Sequence, residues 1–100
     1  MNTRLLPEAV AELREAVEWY DDRRDGLGDD FHDAVSSTLK QIATAPDQSP
    51  RYEGCKHNRD YRRAVIARFP YVIVYTAHES GIIIVSISHS SRRPGHWRKR

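Results

Sequence analysis

Apolar side chains recur at three- and four-residue steps in the first half of the chain and at near-alternate positions in the second. Leu6, Ala9, Val10, Leu13, Ala16, Val17 and Tyr20 form one stripe, the spacing that places side chains on a single face of an α-helix. Pro7 suits the first helical turn, where its missing N–H has no partner to lose. Glu8, Glu12, Glu15 and Glu18 read as a solvated face largely off the stripe, with the acidic first turn favoured by the helix dipole. The stretch around Asp25 to Gly28 interrupts the period. A second stripe then runs through Leu27, Phe31, Val35, Thr38 or Leu39, Ile42 and Ala45 to Pro46. So short a connection predicts an antiparallel helical hairpin. Asp21, Asp22, Asp29 and Asp30 flank the helix ends, where capping accounts for them. Thr3 to Leu6 is expected to form a short first strand.

Residues 46–58 carry two prolines, Gly54 and mostly polar side chains, and read as a loop. Beyond them Tyr61–Arg68, Tyr71–Ala77 and Ile82–His89 are rich in β-branched and aromatic residues. Phe69-Pro70 separates the first two, and His78 to Gly81 supplies turn chemistry before the third. Three strands so tightly joined predict an antiparallel meander. In the last strand, alternation puts Ile83, Val85 and Ile87 on one face, expected to lie under the helices, and Ser86 and Ser88 on the other. The order β-α-α-β-β-β predicts an α+β domain. A short N-terminal strand and an antiparallel helical hairpin pack on a C-terminal antiparallel β-meander as a two-layer sandwich. One domain is expected over residues 1–100, with 92–100 as a basic tail.

Composition narrows the class of protein. An apolar fraction of 39% with 30% charged residues fits a folded domain rather than a disordered chain. No apolar run approaches the roughly 18 residues of a membrane span, and the N-terminal residues lack the apolar core of a secretory signal. The single cysteine, Cys55, cannot close an internal disulfide, and structural zinc takes about four Cys/His ligands. A cytoplasmic chain with no membrane contact, metal or cofactor is expected.

The net charge of +2 hides a division. Residues 1–50 hold five Lys/Arg against eleven Asp/Glu, a net −6, whereas residues 51–100 hold eleven against three, a net +8. Such asymmetry points to an anionic or charged protein partner for the second half. Arg92, Arg93, Arg98, Lys99 and Arg100 concentrate it at the end. Arg51, Lys56, Arg59, Arg62, Arg63 and Arg68 could extend it as a basic face on one side of the sheet, or be separate solvated charges. Guanidinium groups suit phosphate through planar, bidentate hydrogen bonding. His96 could titrate near neutrality. Trp97 could stack on a base, although folding back to cover the sheet is the better reading of it. His89, at a strand end, reads more readily as a structural histidine than a catalytic one. Composition, period and spacing do not name a function.

Three segments carry a resemblance that does. They are Leu39-Lys40-Gln41-Ile42-Ala43-Thr44-Ala45-Pro46, the run from Arg63 through Phe69-Pro70-Tyr71 to Tyr75, and Ile87-Ser88-His89-Ser90-Ser91-Arg92-Arg93-Pro94-Gly95-His96-Trp97. Their order and spacing over residues 7–97 resemble the RelE/ParE superfamily of toxins from bacterial type II toxin–antitoxin modules, whose habitual ending is strand-His-x-x-Arg-x-Pro-x-x-Trp. The resemblance implies a toxin neutralised by a cognate antitoxin, with one of two targets. RelE-like members cut mRNA on the ribosome; Arg92, Arg93 and His96 are the residues here that would match a catalytic set. ParE-like members inhibit DNA gyrase by protein contact, without catalytic residues. Val72 stands where the ribonuclease branch carries arginine after the tyrosine, so the resemblance leans to the ParE-like branch. A module that only binds antitoxin is the third reading. The residues expected to meet a target are Arg62, Arg63, Arg68, His89, Arg92, Arg93, Trp97 and Arg98.

Overall fold

A computed structural model describes residues 2–51, 61–93 and 95–100. Its elements are β1 (Thr3–Leu5), α1 (Pro7–Arg23), α2 (Leu27–Thr44), β2 (Tyr61–Val65), β3 (Tyr71–His78) and β4 (Gly81–His89). The four strands form one sheet in the order β1-β4-β3-β2. The meander is antiparallel, and β1 adds to β4 in parallel, Arg4 opposite Ile83. The expected α+β order is the observed one. β2 stops at Val65, three residues short of the expected end. The chain there turns through Arg68, whose φ of 70° is one that non-glycine residues seldom adopt.

The hairpin packs where the stripes converge. Ala9, Ala16, Tyr20, Phe31, Val35 and Ile42 meet Ala64, Ile73, Tyr75, Ile82, Ile84 and Ile87 of the sheet in one buried cluster. The helices cross closely at Gly28, where a Cβ would sit 2.5 Å from the Val17 carbonyl oxygen. Asp21 exploits that approach: its Oδ1 accepts the Gly28 N–H at 2.7 Å, capping the first turn of α2 from the neighbouring helix. Phe69-Pro70-Tyr71 earns its place structurally. Phe69 and Tyr71 close an aromatic group with Tyr20 and Phe31 at centroid distances of 4.8–6.0 Å, mostly edge-on or tilted as ring quadrupoles favour.

The expected alternation in β4 fails at one place. Val74 pairs with Ser86 but Tyr75 pairs with Ile84, leaving Val85 as an extra residue in a β-bulge. Period-2 alternation therefore slips. Ile82, Ile84 and Ile87 face the helices, whereas Ile83 and Val85 face away with Ser86 and Ser88. The face away from the helices is a second apolar surface, not a polar one.

Candidate functional site

That second surface is covered by the tail. After β4 the chain makes successive tight turns, with the His96, Arg98 and Arg100 N–H groups donating to the Arg93, Gly95 and Trp97 carbonyls at 3.0–3.2 Å. Gly95, at φ 79°, supplies the left-handed residue this path needs. The turns deliver Trp97 onto Val74 and Val85, with Leu6, Tyr61 and Ile83 at its margin. Its residue is 1% exposed, and its ring lies 4.6 Å from Tyr61. Trp97 is thus the cap of the sheet, and in this conformation it offers no face for stacking.

One carboxylate holds the tail down. Arg100 donates through Nη1 to Glu12 Oε1 at 2.6 Å and through Nη2 to Oε2 at 3.1 Å, a bidentate fork, and Nη1 also donates to the Val85 carbonyl at 3.0 Å. The Ile87 N–H donates to the same Glu12 Oε1 at 3.2 Å. β1 ends at Leu5, opposite Ile84, so β4 runs on past its parallel partner. Glu12 and Arg100 occupy that exposed edge and satisfy backbone groups that a longer strand would have paired. The reading of Glu12 as a solvated charge is corrected here: its side chain is 12% exposed. Its position offered a signal, since it falls three residues after Ala9 and four before Ala16, within the buried stripe. The partner, 88 residues further along the chain, gave none.

His96 sits against this pair. Nδ1 lies 3.1 Å from the Arg93 carbonyl, which can only accept, so Nδ1 carries the proton. Nε2 lies 3.3 Å from the Ser86 hydroxyl and 3.6 Å from Glu12 Oε2. Both nitrogens are engaged inside the fold. His89 is engaged through one nitrogen: Nδ1 accepts from the Ser91 N–H at 3.0 Å and faces the Ser91 hydroxyl at 2.7 Å, with Tyr71 against the ring.

The basic residues divide. Arg63, His89, Arg92, Arg93, His96 and Trp97 line one recess of about 90 Å³ on the face away from the helices, with Val72, Val74 and Ser88 among its walls. Arg62 does not join them. It reaches to the helix side and donates to the Asp47 and Ser49 carbonyls at 3.0 and 2.7 Å, tying down the loop after α2, beside the Tyr75 hydroxyl bonded to the Pro46 carbonyl at 2.6 Å. Arg68 lies with Asp33, Ser37 and Gln41 of α2, and Arg98 lies exposed by Gly95. Arg51 bridges to Arg62; Cys55, Lys56 and Arg59 lie outside the described residues. The expected continuous basic face is therefore a compact cluster at the β4–tail junction. A separate, larger hollow of about 660 Å³ opens between α1, the start of β3 and the end of β4, walled by Ala16, Trp19, Tyr20, Pro70, Tyr71 and Ile87. Trp19 is half exposed on its rim, with Arg23 stacked 4.3 Å from the ring.

Burial shifts two phenols. Tyr20 is raised above 10.0 by burial first and by Tyr71 second; Tyr71 is raised by burial first and by the Glu12 charge second. Among the described residues no group of His, Cys, Asp and Glu is arranged to hold a metal, and no helix is long and apolar enough to cross a membrane.

The architecture is a helical hairpin on one face of a four-stranded sheet, with a basic tail folded over the opposite face. The family model for the ParE toxin of the type II toxin–antitoxin system parDE matches residues 3–94, and the chain belongs to that family. No curated protein matches it in sequence. Among solved structures, a chain of the chromosomal ParDE TA system from P. aeruginosa superposes with a TM-score of 0.66 at 17% identity, covering 89% of this chain and 95% of that one. The protein is a ParE-like toxin of a type II toxin–antitoxin module.

Proposed function

We propose that the chain arrests growth by inhibiting DNA gyrase through a protein–protein contact, in the cytoplasm, and that a cognate antitoxin neutralises it. The observation that carries this reading is the engagement of His96. A general acid or base must reach its proton in the substrate, and both nitrogens of this ring are spent on Arg93, Ser86 and Glu12. Val72 supports the same reading, since it lines the recess where the ribonuclease branch would add an arginine. A contact inhibitor needs neither group.

One observation favours a second reading, cleavage of mRNA on the ribosome: Arg92, Arg93 and His96 do line the same recess. Controlled induction in bacteria, with DNA and protein synthesis labelled separately, distinguishes the two. Gyrase inhibition stops DNA synthesis first, and His96→Ala leaves that arrest in place. Collapse of translation within minutes, lost in His96→Ala, would replace the proposal with the ribonuclease. No arrest at all would reduce the chain to an antitoxin-binding module.

A further inference from the structure

We infer that two copies of this chain associate through α1, crossing antiparallel about a two-fold axis, each placing its Trp19 in the other's hollow between α1, β3 and β4. The surface that meets is one ridge. Glu15, Trp19 and Arg23 follow at four-residue steps and are all exposed, so they stand in line on the solvent side of α1. Trp19, at the centre, is 50% exposed. Beside it opens the hollow of about 660 Å³, with Ala16, Tyr20, Pro70, Tyr71 and Ile87 in its walls. An indole and an apolar floor thus lie side by side at the surface, and the single chain buries neither. The charges on the ridge are unanswered too. Glu15 makes no hydrogen bond or ion pair among the described residues, and Arg23 only stacks 4.3 Å from the Trp19 ring. Within one chain those two charges are roughly 12 Å apart along the helix and do not meet.

Symmetry selects the occupant. With a two-fold axis at Trp19, antiparallel helices bring Glu15 against the partner's Arg23 and Arg23 against the partner's Glu15. The ridge is therefore its own complement in charge, acid at one end and base at the other with the indole between; a parallel pairing would set like against like. Ridges of this four-residue spacing pack at about −50°. The helices then part within about a turn of the crossing, which leaves the acidic Glu8 and Glu12 outside the contact. Each ridge enters the groove between the partner's own ridge and its Ala16-Tyr20 row, and that groove widens into the hollow. Deeper in, Glu12 is held by Arg100 and Arg92 stands beside it, so the floor offers an occupant apolar area and the rim supplies the charge. One ridge and one hollow from each copy fall short of the about 1,600 Å² of a standard interface, so the dimer forms only in the micromolar range or above. The inference stands whichever target the chain attacks.

The test is sedimentation velocity of the purified full chain from about 1 μM to about 1 mM. The expected result is a dimer that grows with concentration. Tryptophan emission shifts to the blue as it forms, because Trp19 leaves water while Trp97 is buried throughout. Trp19→Ala weakens association roughly tenfold or more, as loss of a central aromatic anchor does. Glu15→Arg and Arg23→Glu each weaken it at least about tenfold, since each sets two pairs of like charges together. Mixed in equal amounts, these two variants associate again, because each supplies the charge the other lacks. All three positions are exposed, so urea unfolding of each variant stays close to that of the parent chain. A chain that is monomeric at every concentration overturns the proposal and leaves the hollow to a segment of another protein. Dimers that survive Trp19→Ala, or charge variants that stay apart when mixed, overturn it as well and place any self-association on another face.

Discussion

The two faces of the sheet are closed by different means. On one, the helical hairpin lays many apolar side chains over Ile73, Tyr75, Ile82, Ile84 and Ile87, and no single residue dominates. On the other, Trp97 covers Val74 and Val85 almost alone, and it is held there through Arg100 on Glu12. The first closure is distributed and apolar. The second is a single plug with an ionic anchor, and the recess with its arginines exists only while that plug is seated. Stability and the candidate site therefore depend on different physics in the same small domain.

The largest expected effects compare the two closures directly. Phe31→Ala empties a fully buried position between the hairpin and the β2–β3 turn and should cost about 5 kcal/mol, the upper end for such deletions, read from urea unfolding. Trp97→Ala removes a larger ring but leaves a layer that water and the loosened tail can fill. It should cost about 3 kcal/mol, because deletion energies fall where a site can collapse. Hydrogen exchange adds a sharper reading. Phe31→Ala should weaken protection throughout, whereas Trp97→Ala should expose the β1–β4 edge and leave the hairpin protected. Equal losses spread over both would mean that the two faces form one cooperative unit and that the comparison is false.

This division also explains what the amino-acid sequence made legible. The hairpin and meander follow from period and turn residues, each a local signal: Leu27, Phe31, Val35 and Ile42 need only one another to define a face. The second face needed two things that local pattern does not carry. The bulge at Val85 reversed the alternation, so Ile83 and Val85 left the face that Ile87 kept. Glu12 and Arg100 gain their meaning only from each other, across nearly the whole chain. For the site, the tail's charge marked Arg92, Arg93 and His96 as neighbours. Which sheet arginine would join them depended on strand parity, and parity placed Arg63 on the recess side and Arg62 with the loop after α2. Trp97 was readable as a cap because an aromatic after an apolar strand has a surface to return to.

The ionic anchor supplies the next prediction. Glu12→Gln keeps the shape but removes the charge facing Arg100, His96 and Arg92, and should cost about 2 kcal/mol, the scale of a hydrogen bond to a charged group. Arg100→Met should cost a similar amount. The double variant should cost less than the sum by about 1–2 kcal/mol, since residues in one network couple. High salt should shrink that coupling only slightly, because the side chains of Glu12 and Arg100 are 12% and 15% exposed and screening acts mainly on solvated charges. Additive losses would show that the fork contributes nothing to seating the tail.

The smallest effect lies where the two faces meet. Tyr71 belongs to the aromatic group under the hairpin, yet its phenol is raised above 10.0 by burial and then by Glu12, the residue that anchors the tail. Tyr20 beside it is raised by burial and then by Tyr71. A phenol that holds its proton more tightly in the folded state contributes stability that is fully present below its unfolded value near 10. That contribution is lost as pH rises through the folded value. Unfolding free energy should accordingly decline above pH 10.0, and Tyr71→Phe should remove part of the decline while leaving neutral-pH stability nearly unchanged. Phenolate absorbance followed against pH gives the complementary reading: Glu12→Gln should let Tyr71 ionise at lower pH than in the parent chain. An unmoved titration would separate Tyr71 from the anchor and confine the influence of Glu12 to the tail side of the sheet.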